Sequence, residues 1–116
     1  MLPLNSTDTL ESFLSGAGTD KVIVIYYDVP DRQKDDNSEY KRNRQITASN
    51  GATDITCCDA PQQGYTRNIE EIYFNPTGAI TITIQYDVSG AESAFITQTL
   101  AANETLIYDR GGWHVL

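Results

Sequence analysis

Basic charge is scarce in this chain: 8 Lys and Arg stand against 16 Asp and Glu, for a formal net charge of -8 and a pI of about 4.3. Free nucleic acid is therefore not expected as the main partner, because capture of phosphates needs clustered cations. The same acidity favours solubility, or docking onto a basic protein surface. Long apolar runs are also missing. No stretch approaches the roughly 20 residues that span a bilayer, so no membrane partner is expected. The opening "MLPLNSTDTL" has neither a basic region nor an extended apolar segment. It does not read as a secretory signal, and a chain made and kept in a cytoplasm is expected.

Residues that carry chemistry are equally sparse. There is one His, His114, and one Trp, Trp113, both at the C-terminal end. Nucleophilic catalysis of the Ser-His-Asp kind needs a His held by a carboxylate beside an activated nucleophile, and a lone His on a terminal strand does not signal that. The two cysteines, Cys57 and Cys58, are adjacent. Neighbouring strand residues point to opposite faces, so no mutual disulfide is expected, and one thiol should face the core while the other faces out. A zinc site needs more ligands at wider spacing.

Carboxylates occur in pairs: Glu70 with Glu71, Asp35 with Asp36, and Asp28 near Asp31. Two carboxylates serving one glycoside must flank it across a cleft. On a regular strand Glu70 and Glu71 face opposite ways and cannot share a substrate. Asp28 and Asp31 flank Pro30 as turn-capping residues commonly do. A cation site among Asp31, Asp35 and Asp36 is a minor alternative to a solvated loop. No phosphate-cradling glycine loop, calcium-loop pattern or CxxC is present. The expectation is a protein that is not an enzyme, with no metal and no cofactor.

What is abundant is period-two alternation. "AITITIQYDV" sets Ile80, Ile82, Ile84 and Tyr86 on one face and Thr81, Thr83 and Gln85 on the other, the signature of a half-buried antiparallel strand. "KVIVIYYDV" is denser and β-branched, as a central strand should be. Asn50-Gly51 can supply the positive φ angles of a hairpin turn. "NPTG" at 75–78, Ser89-Gly90, and "DRGG" at 109–112 supply further turns. Strands are expected near 20–28, 43–49, 52–58, 67–75, 79–87, 93–100, 104–109 and 112–116. At 116 residues the chain has the size of one domain able to bury its own core. The fold class is therefore all-β: an antiparallel β-sandwich, or a jelly-roll-like small barrel, of about eight strands in a single domain spanning 1–116. Residues 8–15 are ambiguous. Asp8 and Glu11 have capping-box spacing, Leu10, Phe13 and Leu14 have helical spacing, and Gly16 is a natural stop, yet the segment also alternates as a strand.

One stretch differs in kind. "DVPDRQKDDNSEYKRNRQ" is polar and charged, and predicts a long exposed loop near 30–44. Arg32, Lys34, Lys41, Arg42 and Arg44 are five of the eight cations, packed into thirteen residues and interleaved with Asp31, Asp35, Asp36 and Glu39. The plain reading is a solvated loop; the functional one is a docking loop, with Tyr40 as its aromatic anchor. At the C-terminus, "DRGG" reverses the chain so that Trp113 and Val115 share one face and His114 and Leu116 the other. With Tyr108 opposite, Trp113 reads as a fold-closing plug rather than a ligand platform. The seven Tyr suit half-buried strands and interfaces, and suit sugar stacking too.

The segment "TLAANETLIYDRGGWHVL", paired with the preceding "IEEIYFNPTGAITITIQYDV", resembles small virion structural proteins of tailed bacteriophages. So do "TDTLESFLSGAGT", the strand ending "IYYDV", the middle "NGATDITCCDAP", and the strand bearing Arg67, Ile69, Ile72 and Asn75. The likeness covers nearly the whole chain; the charged loop, longer and more basic, departs from it. The resemblance implies a strand rather than a helix at 8–15, and a β-sandwich assembled on a virion. Within that group a head decoration or cement protein is the expected role, bound outside the capsid lattice to the major capsid protein or another virion protein. A homo-oligomer, with a trimer favoured, is expected. A neck, collar or tail accessory protein, or a virion-displayed carbohydrate-binding module, is the alternative.

Overall fold

The computed structural model describes residues 2–31 and 42–116. Among these residues the chain is all-β, with ten strands and no helix. They are β1 Leu2–Leu4, β2 Asp8–Leu14, β3 Lys21–Pro30, β4 Arg42–Ala48, β5 Ile55–Cys58, β6 Tyr65–Phe74, β7 Ile80–Val88, β8 Ala91–Leu100, β9 Leu106–Asp109 and β10 Gly112–Val115. All eight expected strands occur, and β1 and β2 precede them.

The ambiguous N-terminal segment is strand β2. Asp8, Leu10, Ser12 and Leu14 are buried while Thr9, Glu11 and Phe13 are only partly so, which is period two. Asp8 caps no helix. Its carboxylate accepts hydrogen bonds from the Asn5 backbone N–H and the Thr7 hydroxyl, both at 3.1 Å, and so closes the turn that feeds the strand. Pairing with β5 on one side and β7 on the other supplies more backbone hydrogen bonds than one helical turn would, and this overrides the local helix signal.

The strands form two antiparallel sheets. The six-stranded sheet has the order β10-β9-β6-β3-β4, with β1 beside β6; the four-stranded sheet has the order β5-β2-β7-β8. β1 pairs with Arg67–Ile69 and β9 with Ile72–Phe74, so these two short strands divide one edge of β6 between them. Between the sheets lies one core, formed by Leu2, Leu4, Leu10, Leu14, Val22, Val24, Ile69, Ile72, Phe74, Ile82, Ile84, Leu100, Leu106 and Tyr108 with the two cysteines.

Six of the nine connections cross from one sheet to the other. A turn forms one residue later than expected, centred on Gly51-Ala52: Gly51 has φ +56° while Asn50 takes no positive φ, and the Thr53 N–H donates to the Asn50 carbonyl at 3.0 Å. It does not make a hairpin, because β4 and β5 then part into different sheets. The "NPTG" turn likewise carries the chain from β6 to β7 in the other sheet. Hairpins form at Ser89-Gly90, whose φ angles of 52° and 92° are those of a two-residue turn, and between β9 and β10, where Gly112 takes φ 92°.

Strict alternation fails at three places, each a β-bulge. Leu10 pairs with Cys58 and Glu11 with Thr56, leaving Cys57 unpaired. Tyr26 pairs with Ile69 and Ile25 with Glu71, leaving Glu70 unpaired. Ile84 pairs with Ile96 and Gln85 with Ala94, leaving Phe95 unpaired. An inserted residue turns two consecutive side chains to the same side. This corrects two expectations. Cys57 and Cys58 are both buried with no exposure, as free thiols. Burial pushes the Cys58 thiol up to about 11, against an opposing pull from Arg67, and pushes Cys57 higher still; both are neutral and poor nucleophiles at neutral pH. Glu70 and Glu71 do not face apart either, as described below.

Arg67 ties the layers together. Its Nε and Nη2 donate to the Asp28 carboxylate at 2.8 and 3.0 Å, and Nη1 donates to the Asp59 carbonyl, just beyond β5, at 2.9 Å. The guanidinium lies 4.0 Å from the centroid of the Tyr26 ring, within cation–π range. Asp28 and Arg67 are direct cross-strand partners, and only 13% of the Arg67 side chain is exposed. Removing it leaves a half-buried carboxylate and a carbonyl without their donor. Arg67→Ala is expected to lower the unfolding free energy by about 3 kcal/mol. Arg42→Ala, with 57% of its side chain exposed, should lose roughly 0.5 kcal/mol. Urea titration of both checks this; equal losses would show that Arg67 is no strut.

Candidate functional site

The docking residues expected from sequence divide. Arg32, Lys34, Tyr40 and Lys41, with Asp35 and Asp36, lie outside the described residues. Arg42 and Arg44 are strand residues of β4, not loop residues. Both belong to the outer face of the six-stranded sheet, on the side away from the core.

That face is built by the residues that alternate with the core. On β3, Val22 and Val24 are fully buried, so Ile23 and Ile25 point outward. On β6, Ile72 and Phe74 are buried and Tyr73 points outward; on β9, Leu106 and Tyr108 are buried and Ile107 points outward. On β10, Trp113 and Val115 pack on the core, leaving His114 outside. The register aligns them. Ile46 pairs with Ile23, Ile23 with Tyr73, Tyr73 with Ile107, and Ile107 with His114. One row of side chains, apolar except for its terminal His, thus crosses five strands, about 19 Å at ordinary strand spacing. Ile46, at the β4 edge, is 47% exposed.

Beside this row runs a charged one. Arg44 pairs with Ile25, and Ile25 with Glu71. The Glu70 bulge brings both glutamates to one cation: Arg42 Nε lies 3.4 Å from Glu70 and its Nη2 3.4 Å from Glu71. Glu71 also accepts a hydrogen bond from the Tyr73 hydroxyl at 3.1 Å. Two shallow grooves meet at Glu71. One, of about 460 Å³, is lined by Ile25, Arg42, Asn43, Arg44 and Glu71. The other, of about 350 Å³, is lined by Glu70, Glu71, Asp109, Arg110 and Gly111. The face is thus apolar in a band and charged along its flank.

The C-terminal hairpin completes it. The Asp109 carboxylate accepts the Gly111 backbone N–H at 2.8 Å and meets His114 Nε2 at 2.8 Å. The Gly111 N–H, then His114, hold Asp109 below the usual carboxylate range. The signal for this pair was present in "DRGGWH": a tight reversal sets Asp109 and His114 diagonally on one face. On the opposite side, Trp113 lies 4.9 Å from Tyr108, its cross-strand partner, and 6.1 Å from Phe95; Phe95 lies 4.8 Å from Tyr86. This ring chain joins β9 and β10 of one sheet to β7 and β8 of the other. Asp31 is bound locally, accepting the Thr66 hydroxyl at 2.6 Å.

Comparison with family models, with curated proteins and with solved structures finds no match to this chain.

Two outcomes follow from this geometry. A group whose folded pKa is depressed contributes stability above its unfolded pKa and loses it as pH falls through the folded value. Asp109→Ala should therefore be less stable than the parent at neutral pH, and the gap should close below the ordinary value near 3.8; a gap unchanged in acid would remove the pair's role. Trp113→Ala should cost about 3 kcal/mol, and Trp113 emission should be blue-shifted until the chain unfolds. Emission already at the solvent-exposed maximum would instead favour a ring free to stack on a ligand.

Proposed function

We propose that this protein acts by contact rather than by catalysis, as a virion structural protein of a tailed bacteriophage. Its place is the outside of the head, as a cement protein on the major capsid protein. The observation that carries the contact reading is the row Ile46, Ile23, Tyr73, Ile107 and His114. A band of this kind on rigid strands, flanked by Arg42, Arg44, Glu70 and Glu71, has the apolar centre and charged margin of an interface. The phage assignment rests on the sequence resemblance described above. Binding only the assembled shell adds contacts that must break before the shell opens, and so stabilises it by linkage. A homo-oligomer, with a trimer favoured, would place several such faces around one capsomer joint.

Purified protein should bind expanded empty capsids and raise their melting temperature. Ile46→Asp and Arg44→Glu, both exposed on β4, should fold normally and lose occupancy by tenfold or more, about 1.4 kcal/mol. Capsids that neither bind the protein nor gain stability would sink the cement role and favour the neck or tail. Full occupancy by both variants would move the contact off this face.

A further inference from the structure

Among the described residues the sheets end in the edge strands β1, β4, β5, β8 and β10, and all but one are protected. A strand edge presents unpaired backbone N–H and C=O groups to any other chain, and short length, charge, Pro and side-chain caps blunt it. β1 has three residues and contains Pro3. β5 and β10 have four residues each. The Gln45 side chain also bonds the Thr56 carbonyl of β5 at 3.4 Å and the Asp59 N–H just beyond it at 2.9 Å. β4 carries Arg42 and Arg44, and the Arg44 N–H donates to the Asn43 side chain at 2.9 Å. β8 is different. Its ten residues include no Lys, Arg or Pro and a single acid, Glu92. Beyond the bulge at Phe95, residues 96–100 pair regularly with β7 on one side only.

The direction of the β8 backbone groups follows from the far side of β7. The Ser15 N–H donates to the Thr81 carbonyl at 2.9 Å, and the Thr81 N–H donates to the Ser15 hydroxyl at 3.1 Å. Thr81 thus spends its backbone groups on the β2 side. Pairs along an antiparallel ladder alternate between hydrogen-bonded and non-hydrogen-bonded. Thr99 opposite Thr81, and Thr97 opposite Thr83, therefore turn their own N–H and C=O away from β7. Both residues are exposed. The Gln98 amide donates to the Thr99 carbonyl at 3.1 Å, which occupies one of the two lone pairs of that oxygen and neither N–H.

We propose that β8 is the contact of a homodimer, in which residues 96–100 of two copies pair antiparallel about a two-fold axis at Gln98. A single open edge per copy admits only an isologous contact, which closes at two. In this register Thr97 lies opposite the partner's Thr99, and Thr99 opposite the partner's Thr97, so the outward groups of each pair exchange two backbone hydrogen bonds. The threonine pairs of β7 and β8, Thr81 with Thr99 and Thr83 with Thr97, already bring their hydroxyls to 2.9 and 3.2 Å. Self-pairing continues them as one threonine ladder across four strands, a favourable cross-strand arrangement. Like charges stay apart, because Glu92 stands about 20 Å along the strand from the axis in each copy. Copies side by side also cover the seam between β8 and β10, where Phe95 and Trp113 lie 6.1 Å apart and only partly buried. The pairing does not rest on the capsid role, and it is two-fold where that role favours a trimer.

The test uses the whole chain, in sedimentation equilibrium and in amide hydrogen exchange followed by NMR. Wild type should associate reversibly at submillimolar concentration towards twice its mass of 12.9 kDa. The Thr97 and Thr99 amides should gain protection from exchange as concentration rises. Thr97→Glu and Thr99→Lys, both at exposed positions, should keep the parent circular dichroism and each weaken the dimer by about tenfold. In the double variant each new acid lies opposite a new base of the other copy, and affinity should return. A monomer at every concentration overturns the proposal, and so does a trimer. A dimer whose Thr97 and Thr99 amides stay unprotected, or a double variant no tighter than either single one, overturns it as well. Ile46 and Arg44 are untouched in these variants, so capsid binding reports separately on the other face.

Discussion

Each of the two sheets buries one face against the other, and the rest of the structure depends on that shared layer. Val22, Val24, Ile69, Ile72 and Phe74 on one layer and Leu10, Leu14, Ile82, Ile84 and Leu100 on the other are all essentially without exposure. Apolar area removed from water is the dominant favourable term in folding, and here nearly all of it sits in one layer between sheets. Because six connections cross between the layers, the sheets are threaded through each other and cannot separate as units. Arg67 reinforces the same junction with polar bonds, from a β6 position opposite Asp28 to the carbonyl of Asp59.

With the inner faces committed to the core, the outer ones are left to the surroundings, and the two are unlike. The larger sheet shows an isoleucine-tyrosine row with both signs of charge beside it. The smaller shows paired threonines, with Thr81 and Thr99 hydroxyls 2.9 Å apart and Thr83 and Thr97 3.2 Å apart, and then a knot of carboxylates without cations. A net charge of -8 describes neither face. The described cations Lys21, Arg42, Arg44, Arg67 and Arg110 lie on the strands of the larger sheet or in its terminal hairpin turn. The two signs of charge are thus divided unequally between the two outer faces.

The bulges show how small departures from regularity decide chemistry. In "IEEI" the spacing of Ile69 and Ile72 is three, not two, and both are buried; this is possible only if one residue between them is extra. The extra residue, Glu70, joins Glu71 on Arg42. The same device buries both Cys57 and Cys58, and sets Phe95 beside Ile96 against the core. A reading that assumes unbroken alternation assigns one member of each pair to the wrong face. The broken spacing is visible in the letters, but whether it means a bulge or the end of a strand depends on the partner strand.

Alternation and turn chemistry alone determined that the chain is all-β, where its strands from residue 20 onward lie, and that Trp113 and Val115 turn inward while His114 turns outward. These are local properties: a period of two and a positive φ need no distant partner. Tertiary structure decided the rest. The helix signal at Asp8–Leu14 yielded to two flanking strands. The turn expected at Asn50-Gly51 formed one residue later, and its strands went to different sheets. Arg42 and Arg44, loop cations by composition, became strand residues beside Glu70 and Glu71. Glu11, Asp54 and Glu92, up to 81 positions apart in the chain, came within 4.8 Å of one another. Each of these depends on which strands pair and in what register, and that is set by burying both apolar faces at once, a condition satisfied by the whole chain and by no segment of it.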